Sequence, residues 1–367
     1  MVIGESVLRT TTPAGDPAWL ATGYETVKSL LGDERMVGSR PEPERSNALL
    51  AGRGDHQQMR RLLTPAFSAR RIARLRPHVR ELVDGLFDGM ERGTPPVDLH
   101  EALSFPLPAL VICELLGVPY EDREDFRRWS DEAAHMEEPA RSQAGQAALM
   151  AYMLRLIERK RREPAVDVIS DLVAASDEDP EALPPRRVAE IAIRVLFTGH
   201  KTTADTIDKG VLLLLTNPEQ HAAVMRDPGV VRGAVEEIMR ASHPVPNPGD
   251  KQVFGMLRYA SDDIEIDGVT IATGEMVMLS LRSGNLDERV FADPDAFDVT
   301  REANNHLGFG FGGHFCLGAP LARLQLQTVF GTLFQRFPTL RLAVPLEEVR
   351  RRPGMLTGGI AELPVTW

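Results

Sequence analysis

Apolar residues recur at three- and four-residue spacing from about Gln57 to about Leu215. The series Leu75, Val79, Leu82 and Leu86 is one example, and it places four apolar side chains on a single helical face. This spacing is typical of amphipathic helices that bury one side. The pattern therefore predicts that this part of the chain is mainly helical.

The longest predicted helix runs from about Arg186 to Thr216, between two proline-containing pairs at residues 184–185 and 217–218. Proline suits the first turn of a helix and is common just beyond its end. At 1.5 Å per residue this helix measures roughly 45 Å, enough to cross the molecule. Its middle, Thr198–Thr203, is polar and contains a glycine, which costs about 1 kcal/mol relative to alanine. We expect a functional reason for this interruption.

Alternating patterns at both ends of the chain predict short strands. An Asp-Gly pair centred in the alternating segment Ile264–Ile271 predicts a two-residue hairpin turn. The other predicted elements are a strand pair Val7–Thr11 with Ala18–Thr22, a helix Tyr24–Leu31, a strand Met276–Leu281, a helix Leu321–Arg336 and a last hairpin at Gly358–Gly359. Together they predict a mainly α fold with small β-sheets, in one continuous domain over residues 1–367.

Charge and hydropathy restrict the partners and the cellular location that we expect for the protein. Its net charge of −11 argues against nucleic acid as a partner, because a polyanion binds basic surfaces. No segment approaches the roughly 20 apolar residues that span a bilayer. The first 20 residues also lack the basic-then-apolar pattern of a secretory signal. We therefore expect a cytoplasmic protein with no membrane contact.

One segment departs from the acidic average. Between His56 and Arg80 there is no Asp or Glu, and seven arginines occur: Arg60, Arg61, Arg70, Arg71, Arg74, Arg76 and Arg80. A solvated helical face is the usual explanation for a charge run. A docking surface for an acidic partner is the alternative.

The two cysteines are far apart in sequence, so a disulfide framework and a four-thiolate iron–sulfur cluster are not expected. Cys113 lies in an apolar run and is interpreted as a small buried side chain. Cys316 lies in a glycine- and phenylalanine-rich segment, Leu307–Pro320, in which Pro320 indicates the start of a helix. Free N–H groups at a helix N-terminus stabilise a thiolate and lower its pKa.

The residues around Cys316 alone leave three interpretations open. The first is a thiolate ligand of a haem iron, and the second is a glycine-rich turn with an incidental cysteine. The third is a zinc site made by His306, His314 and Cys316, although the usual paired ligand spacing is missing.

The wider sequence resembles the cytochrome P450 superfamily along nearly its whole length. Five segments carry the resemblance in the family's order: His56-x-x-x-Arg60, Gly199-His200-Lys201-Thr202-Thr203, Glu237-Ile238-Met239-Arg240, Phe291–Asp298, and Phe309-x-x-Gly312-x-x-x-Cys316-x-Gly318. Each motif alone is weak to moderate, whereas five in order are specific. The resemblance implies the cytochrome P450 fold, in which the long helix is the central I helix.

The resemblance also implies roles for individual residues. Cys316 would be the axial ligand of a b-type haem. Residues His56, Arg60, Arg258 and His314 would contact the haem propionates. Glu237 and Arg240 would form a buried ion pair with the segment before the haem loop. Thr202 would guide protons to bound dioxygen, and Gly199 would leave room for it. The implied activity is monooxygenation of a small organic molecule, in natural-product biosynthesis, with electrons from a separate ferredoxin.

Three features depart from the family pattern. Lys201 stands where an acid normally precedes the threonine. The N-terminal part and the loop before His56 are short, whereas Ser242–Lys251 is long. An ion pair between Lys201 and Asp205, one turn on, is the simpler explanation of the lysine. A proton-relay role for Lys201 is the alternative. The departures also keep open a peroxide-driven or oxidative-coupling enzyme, and a haem-binding protein without turnover.

Overall fold

The computed structural model describes residues 6–12, 15–39, 53–133, 139–242, 255–350 and 359–367. The described chain is mainly helical, which confirms the predicted fold class. Its helices are α1 Tyr24–Gly32, α2 Arg53–Leu63, α3 Ala69–Arg92, α4 Pro106–Leu116, α5 Arg123–Ala133, α6 Pro139–Arg162, α7 Val168–Glu178, α8 Pro185–Thr216, α9 Pro218–Arg226, α10 Val231–Ala241, α11 Leu281–Asn285, α12 Ala319–Phe330 and α13 Leu333–Arg336.

Helix α8 is the predicted long helix, and it spans 32 residues. It begins with Pro185 in its first turn and ends before Asn217-Pro218, so the proline signals marked both ends correctly. Helices α4, α6, α7, α10 and α12 all pack against it. The centre of the helical core is therefore built on α8.

The predicted helix Leu321–Arg336 is interrupted in the structure. Helix α12 ends at Phe330, and the short α13 resumes at Leu333. Gly331, at the break, would place a Cβ only 2.8 Å from the carbonyl oxygen of Gln327. Because glycine also disfavours a helix interior, the helix divides there.

The strands form three small sheets. Five strands pair in the order β1 Val7–Thr11, β2 Pro17–Ala21, β8 Met276–Leu279, β5 Met256–Ala260 and β3 Met36–Val37. A second sheet contains β4 Val97–Asp98, β10 Pro364–Thr366 and β9 Arg341–Leu342, and a third is the hairpin of β6 Ile264–Ile266 and β7 Val269–Ile271. The β1–β2 pair and the strand at Met276 are confirmed.

The hairpin turn between β6 and β7 is also confirmed. Asp267 and Gly268 have φ angles of 48° and 79°, the left-handed values that an Asp-Gly turn supplies. The last predicted hairpin includes Gly358, which lies outside the described residues, as does most of the long segment after Ser242.

The core has two main parts. The larger one lies among the helices, and a smaller one lies between the five-stranded sheet and α1. No described helix is long and apolar enough to cross a membrane. The loop that carries Cys316 connects the two parts, because it runs from Leu307 in the smaller core to Leu321 in the larger one.

Candidate functional site

The loop before α12 holds Cys316 by backbone hydrogen bonds. The Cys316 amide donates to the carbonyl of Phe309 at 2.7 Å, and the Gly310 amide donates to the carbonyl of Leu307 at 2.8 Å. Gly310 and Gly312 adopt φ angles of 73° and 63°, which favour glycine. The glycines therefore make a tight turn that fixes the position of the thiol.

Cys316 lies just before α12, as predicted, and the backbone N–H groups of Gly318 and Ala319 lower the pKa of its thiol. The net shift is nevertheless upward, because loss of solvation from the surrounding protein atoms is the larger effect. The lowering that was predicted for the helix N-terminus is therefore present, but burial outweighs it in the free thiol. The side chain keeps one solvent-accessible side, although the loop and α12 crowd the others.

Four basic side chains from separate parts of the chain meet beside this loop. The His56 and His314 rings lie 4.2 Å apart between centroids, and Arg60 Nη1 donates to the carbonyl of Phe315 at 2.7 Å. The charges of Arg60 and Arg258 both lower the pKa of His56, which burial brings down to about 4. The structure thus brings together all four residues that the sequence proposed for the propionates.

Among the described residues, neither Arg60 nor Arg258 forms an ion pair with a carboxylate. Burial lowers the pKa of the Arg258 guanidinium, as expected for a cation that has lost solvent. A cleft of about 520 Å³ lies beside His56, Arg60 and His314. This arrangement suits a ligand with carboxylate groups.

The thiol and the cations together satisfy the chemistry of a haem-thiolate site. A haem-thiolate site would need one thiolate with an accessible side and positive charges for the two propionates. The zinc alternative is wrong, because the described residues contain no group of three His, Cys, Asp or Glu side chains placed to hold a metal ion. The donor set present therefore fits a haem.

One face of α8 is directed towards the same region. Arg194 donates to the Met59 sulfur on α2, and its charge lowers the pKa of His56. Thr198 and Thr202 follow at four-residue spacing, and both are exposed although α8 is a core helix. Arg194 was not predicted from the sequence, and Thr198 was noted only as part of the polar middle of the helix. Their spacing from Thr202 was the available signal, since residues i, i+4 and i+8 share a helical face.

Thr202 is bonded back to its own helix. Its Oγ1 donates to the carbonyl of Thr198 at 2.9 Å, and Thr206 repeats this bond to the carbonyl of Thr202 at 2.8 Å. A hydroxyl has one proton and two lone pairs. In this rotamer Thr202 can accept a hydrogen bond from the accessible side, and it must rotate before it can donate one.

The Cβ position of Gly199 faces α4. A Cβ there would lie 2.6 Å from Ile112 Cδ1, so the end of the Ile112 side chain would have to move. The glycine therefore allows this close contact between α4 and α8. The expected role in leaving room for oxygen stays a prediction.

The expected ion pair between Lys201 and Asp205 is wrong. Asp205 is buried, and its Oδ2 has no hydrogen-bond partner among the described residues. Its Oδ1 is directed at Gly359, where a Cβ would lie 2.5 Å away. The carboxylate is therefore turned towards the C-terminal segment rather than along α8 to Lys201, which is half-buried.

Asp205 has a second buried acid for a neighbour. Asp208 Oδ2 lies 2.6 Å from His100 Nδ1, and both side chains are almost fully buried. Burial raises the pKa of Asp208, and the nearby Asp205 charge adds to the rise. Ser104 lies close enough to lower that pKa, yet neither its Oγ nor Asp208 Oδ1 completes a hydrogen bond among the described residues. The sequence analysis missed this group, because its members are about 100 residues apart.

Glu237 and Arg240 form a buried ion pair on α10. Arg240 Nε and Nη2 donate to the two Glu237 oxygens at 2.8 and 2.7 Å. The remaining Arg240 donors bind the carbonyls of Asn285, Pro294 and Ala296. The pair thereby ties α10 to the chain segment that leads into the Cys316 loop.

The arginine-rich segment is divided between internal contacts and open surface. Arg60 binds the Cys316 loop, Arg71 pairs with Asp171, and Arg80 pairs with Asp84. Arg61, Arg70, Arg74 and Arg76 are exposed and pair with no described acid. Since α2 and α3 carry all four, a basic surface remains beside the Cys316 loop.

Comparison with known proteins identifies close relatives. Residues 229–351 match the family model described as cytochrome P450. The chain is 40% identical to pentalenolactone synthase of Streptomyces exfoliatus over 370 residues, which cover 96% of this chain and 91% of the relative. It is 41% identical to mycinamicin IV hydroxylase/epoxidase of Micromonospora griseorubida, over 99% of this chain and 93% of the relative.

Solved structures agree with these similarities. The mixed-function P450 MycG superposes with a TM-score of 0.87 at 40% identity, over 99% of this chain and 94% of that one. SgvP, described as a putative thioether synthase in the tailoring step of griseoviridin, superposes with a TM-score of 0.90 at 37% identity, over 99% and 93%. The similarity therefore spans all the elements that position Cys316 and α8.

Proposed function

The chain belongs to the cytochrome P450 family and is a monooxygenase of that family, and on this premise we propose that it oxidises a small natural product at a b-type haem held by Cys316. The supporting observation is the accessible thiol of Cys316 beside a group of cations that no described acid neutralises. A haem with a thiolate ligand supplies activation of dioxygen when it is bound.

Each residue of the site has a distinct task in this proposal. Cys316 supplies the thiolate, and the backbone N–H groups of Gly318 and Ala319 stabilise its charge. Arg60 and Arg258 bind the propionates as cations. His56 and His314 contribute ring N–H donors, since burial lowers the pKa of both imidazoles. Together these groups orient the cofactor against α8.

In this proposal, the exposed face of α8 delivers protons to the reacting side. Thr202 accepts a hydrogen bond in the observed rotamer and donates one after rotation, so it can pass a proton from ordered water to the reacting side. Thr198 lies one turn away on the same face. We propose that this threonine pair, rather than Lys201, delivers protons.

The relatives support a natural-product substrate but do not identify it. Their names include a pentalenolactone synthase, a nocardicin C N-oxygenase and a mycinamicin IV hydroxylase/epoxidase. The three names describe different reactions at similar sequence identity. We therefore propose the substrate class alone, and a compound panel scored by substrate-induced shifts of the haem spectrum would identify the members that bind.

We propose a ferredoxin as the electron donor, because an acidic protein fits the exposed arginines of α2 and α3. Exposed charges are screened over roughly 10 Å at 0.1 M salt. Reduction by ferredoxin should therefore slow steeply as salt rises, and the double variant Arg70→Glu with Arg74→Glu should slow it further. Substrate affinity should be unchanged. Reduction kinetics that do not depend on salt would instead favour a solvated surface.

Oxygen consumption tests the reaction class. With reduced ferredoxin and a binding substrate, the native enzyme should consume dioxygen and form oxidised product. Thr202→Ala should still consume reductant but release most of it as hydrogen peroxide, because the proton donor is gone. Lys201→Glu should keep product yield similar or improve it.

Three outcomes would change this proposal. If Lys201→Ala and Thr202→Ala release equally increased amounts of the consumed reductant as hydrogen peroxide, Lys201 would be the proton relay. Product formed with added peroxide but not with ferredoxin and dioxygen would favour the peroxide-driven alternative. If both variants still convert the consumed reductant into product, the oxidative-coupling enzyme would be favoured. The similarity to a putative thioether synthase also suggests that reaction.

A further inference from the structure

A bidentate ion pair joins α10 to α12 beside the Cys316 loop. Arg323 Nε and Nη2 on α12 donate to Glu236 Oε1 and Oε2 on α10, each at 2.7 Å. Two parallel hydrogen bonds between a planar guanidinium and a carboxylate hold both groups in one orientation. Both side chains are partly exposed. The Arg323 cation is therefore fixed in position although solvent reaches it.

His306 holds the carboxylate of this pair from the other side. Its Nδ1 accepts the Gly308 amide at 3.0 Å, so the ring proton is on Nε2, which lies 3.1 Å from Glu236 Oε2. Burial raises the pKa of Glu236, but the hydrogen bonds from Arg323 and His306 outweigh it and bring the pKa down to about 2. Glu236 is therefore ionised at neutral pH and keeps Arg323 in place.

The Arg323 guanidinium also lies over an aromatic ring of the loop. It is 4.5 Å from the centroid of the Phe309 ring, a distance at which a cation is attracted to the ring face. Phe309 is the residue whose carbonyl accepts the Cys316 amide at 2.7 Å. Arg323 therefore contacts the loop at the residue that fixes the thiol.

The charge of Arg323 acts on the thiol as well. Burial raises the pKa of Cys316, whereas the charges of Arg60 and Arg323 lower it. In the proposed function Arg60 binds a propionate, and the negative charge of that group offsets the Arg60 cation. Arg323 has no such task. It is therefore the cation that remains available to the sulfur.

We propose that Arg323 is a positioning residue that sets the reduction potential of the haem bound at Cys316, and that Glu236 fixes its orientation and limits its effect. The inference rests on the proposed function, because it requires that haem. One-electron reduction adds a negative charge to the iron centre, so a nearby cation favours the reduced state. Charges and hydrogen bonds around a ligating sulfur tune such potentials.

A purely structural role for the pair makes a different prediction. Loss of either partner would loosen the same contact between α10 and α12, so both losses would shift the potential in the same direction. An electrostatic role requires opposite directions, because Arg323 and Glu236 carry opposite charges.

The test is a potentiometric titration of the haem-loaded protein with a chemical reductant, without substrate or ferredoxin. Arg323→Met should lower the equilibrium constant of one-electron reduction at least threefold, which is about 28 mV at about 59 mV per tenfold change. Arg323→Lys keeps the charge and should stay within twofold of the native protein. Glu236→Gln should shift the potential in the positive direction. Arg226→Met, at an exposed position on α9, is the matched control and should leave it unchanged.

The spectrum of the reduced carbon-monoxide complex separates two kinds of failure. A native protein without the band of thiolate ligation would contradict the proposed function, and this inference with it. Where the band is intact, an Arg323→Met constant within twofold of the native value would overturn the inference alone. Shifts of Arg323→Met and Glu236→Gln in the same direction would also overturn it. If Arg323→Met does not retain haem, an unchanged or more negative potential in Glu236→Gln would do so.

Discussion

Two buried ionic groups differ in how completely their hydrogen bonds are made. In the Glu237 cluster (Glu237, Arg240 and Arg301), all five guanidinium N–H groups of Arg240 have acceptors. In the Asp208 cluster (His100, Ser104, Asp205 and Asp208), three oxygen atoms have no partner among the described residues.

This difference indicates different roles. A fully satisfied buried pair holds its neighbours in place, and breaking it leaves an uncompensated charge. Unpartnered buried oxygens require water or a proton, because an isolated buried acceptor is costly. The Glu237 cluster therefore stabilises the chain before the Cys316 loop. The Asp208 cluster is a poorly satisfied region within one to two turns of Thr202.

The largest effect is expected in the Glu237 cluster. Arg240→Met should lower the free energy of unfolding by about 3–5 kcal/mol, because it leaves Glu237 buried with one fewer cation and removes three carbonyl contacts. Urea unfolding measures this value, with Arg226→Met on the exposed part of α9 as the matched control. A loss below about 1 kcal/mol, the size of an ordinary exposed change, would contradict the structural role.

A smaller effect is expected from His200, whose pKa responds to the charges of Lys201, His100 and Asp205. Its folded pKa of about 4 is below the ordinary 6.5, so the unfolded chain takes up a proton first as pH falls. The neutral imidazole therefore contributes to the free energy of unfolding above pH 6.5, and this contribution is lost as the pH falls towards 4. From pH 7.5 to pH 5 this loss is about 2 kcal/mol.

His200→Gln should remove that part of the pH dependence, since the amide does not titrate but can still donate to the Phe105 carbonyl. Denaturation at a series of pH values compares the two proteins. Parallel stability curves for both proteins between pH 7.5 and pH 5 would show that His200 titrates normally.

The smallest effect is expected from Asp208→Asn. The amide keeps an acceptor for His100 and adds a donor for Ser104, and burial already disfavours the carboxylate by raising its pKa. The free energy of unfolding at pH 7 should change by no more than about 1 kcal/mol. A loss comparable to that of Arg240→Met would remove the distinction between the two clusters.

Local signals in the sequence predicted most of the fold. Proline pairs marked both ends of α8, and Asp267-Gly268 fixed the β6–β7 turn, because these effects act over a few residues. The break at Gly331 was missed, although glycine disfavours a helix interior and is a local signal. The four residues expected at the propionates, His56, Arg60, Arg258 and His314, were proposed only through the family resemblance.

The unpredicted part of the site depends on tertiary contacts. His100 meets Asp208 across 108 positions, and no local pattern specifies that contact. The orientation of Asp205 towards Gly359, which prevents the expected pair with Lys201, depends equally on distant packing. Thr198 could have been found, because its spacing from Thr202 places it on the same face.

The central claim is that Cys316 supplies the thiolate to a bound haem, and the spectrum of the reduced carbon-monoxide complex tests it most directly. The native protein should show the red-shifted band of thiolate ligation. Cys113→Ala should keep it, since Cys113 is buried away from the loop and burial raises the pKa of its thiol to about 12. Cys316→His should abolish it. Purified protein that binds no haem, or a band unaffected by Cys316→His, would contradict the account.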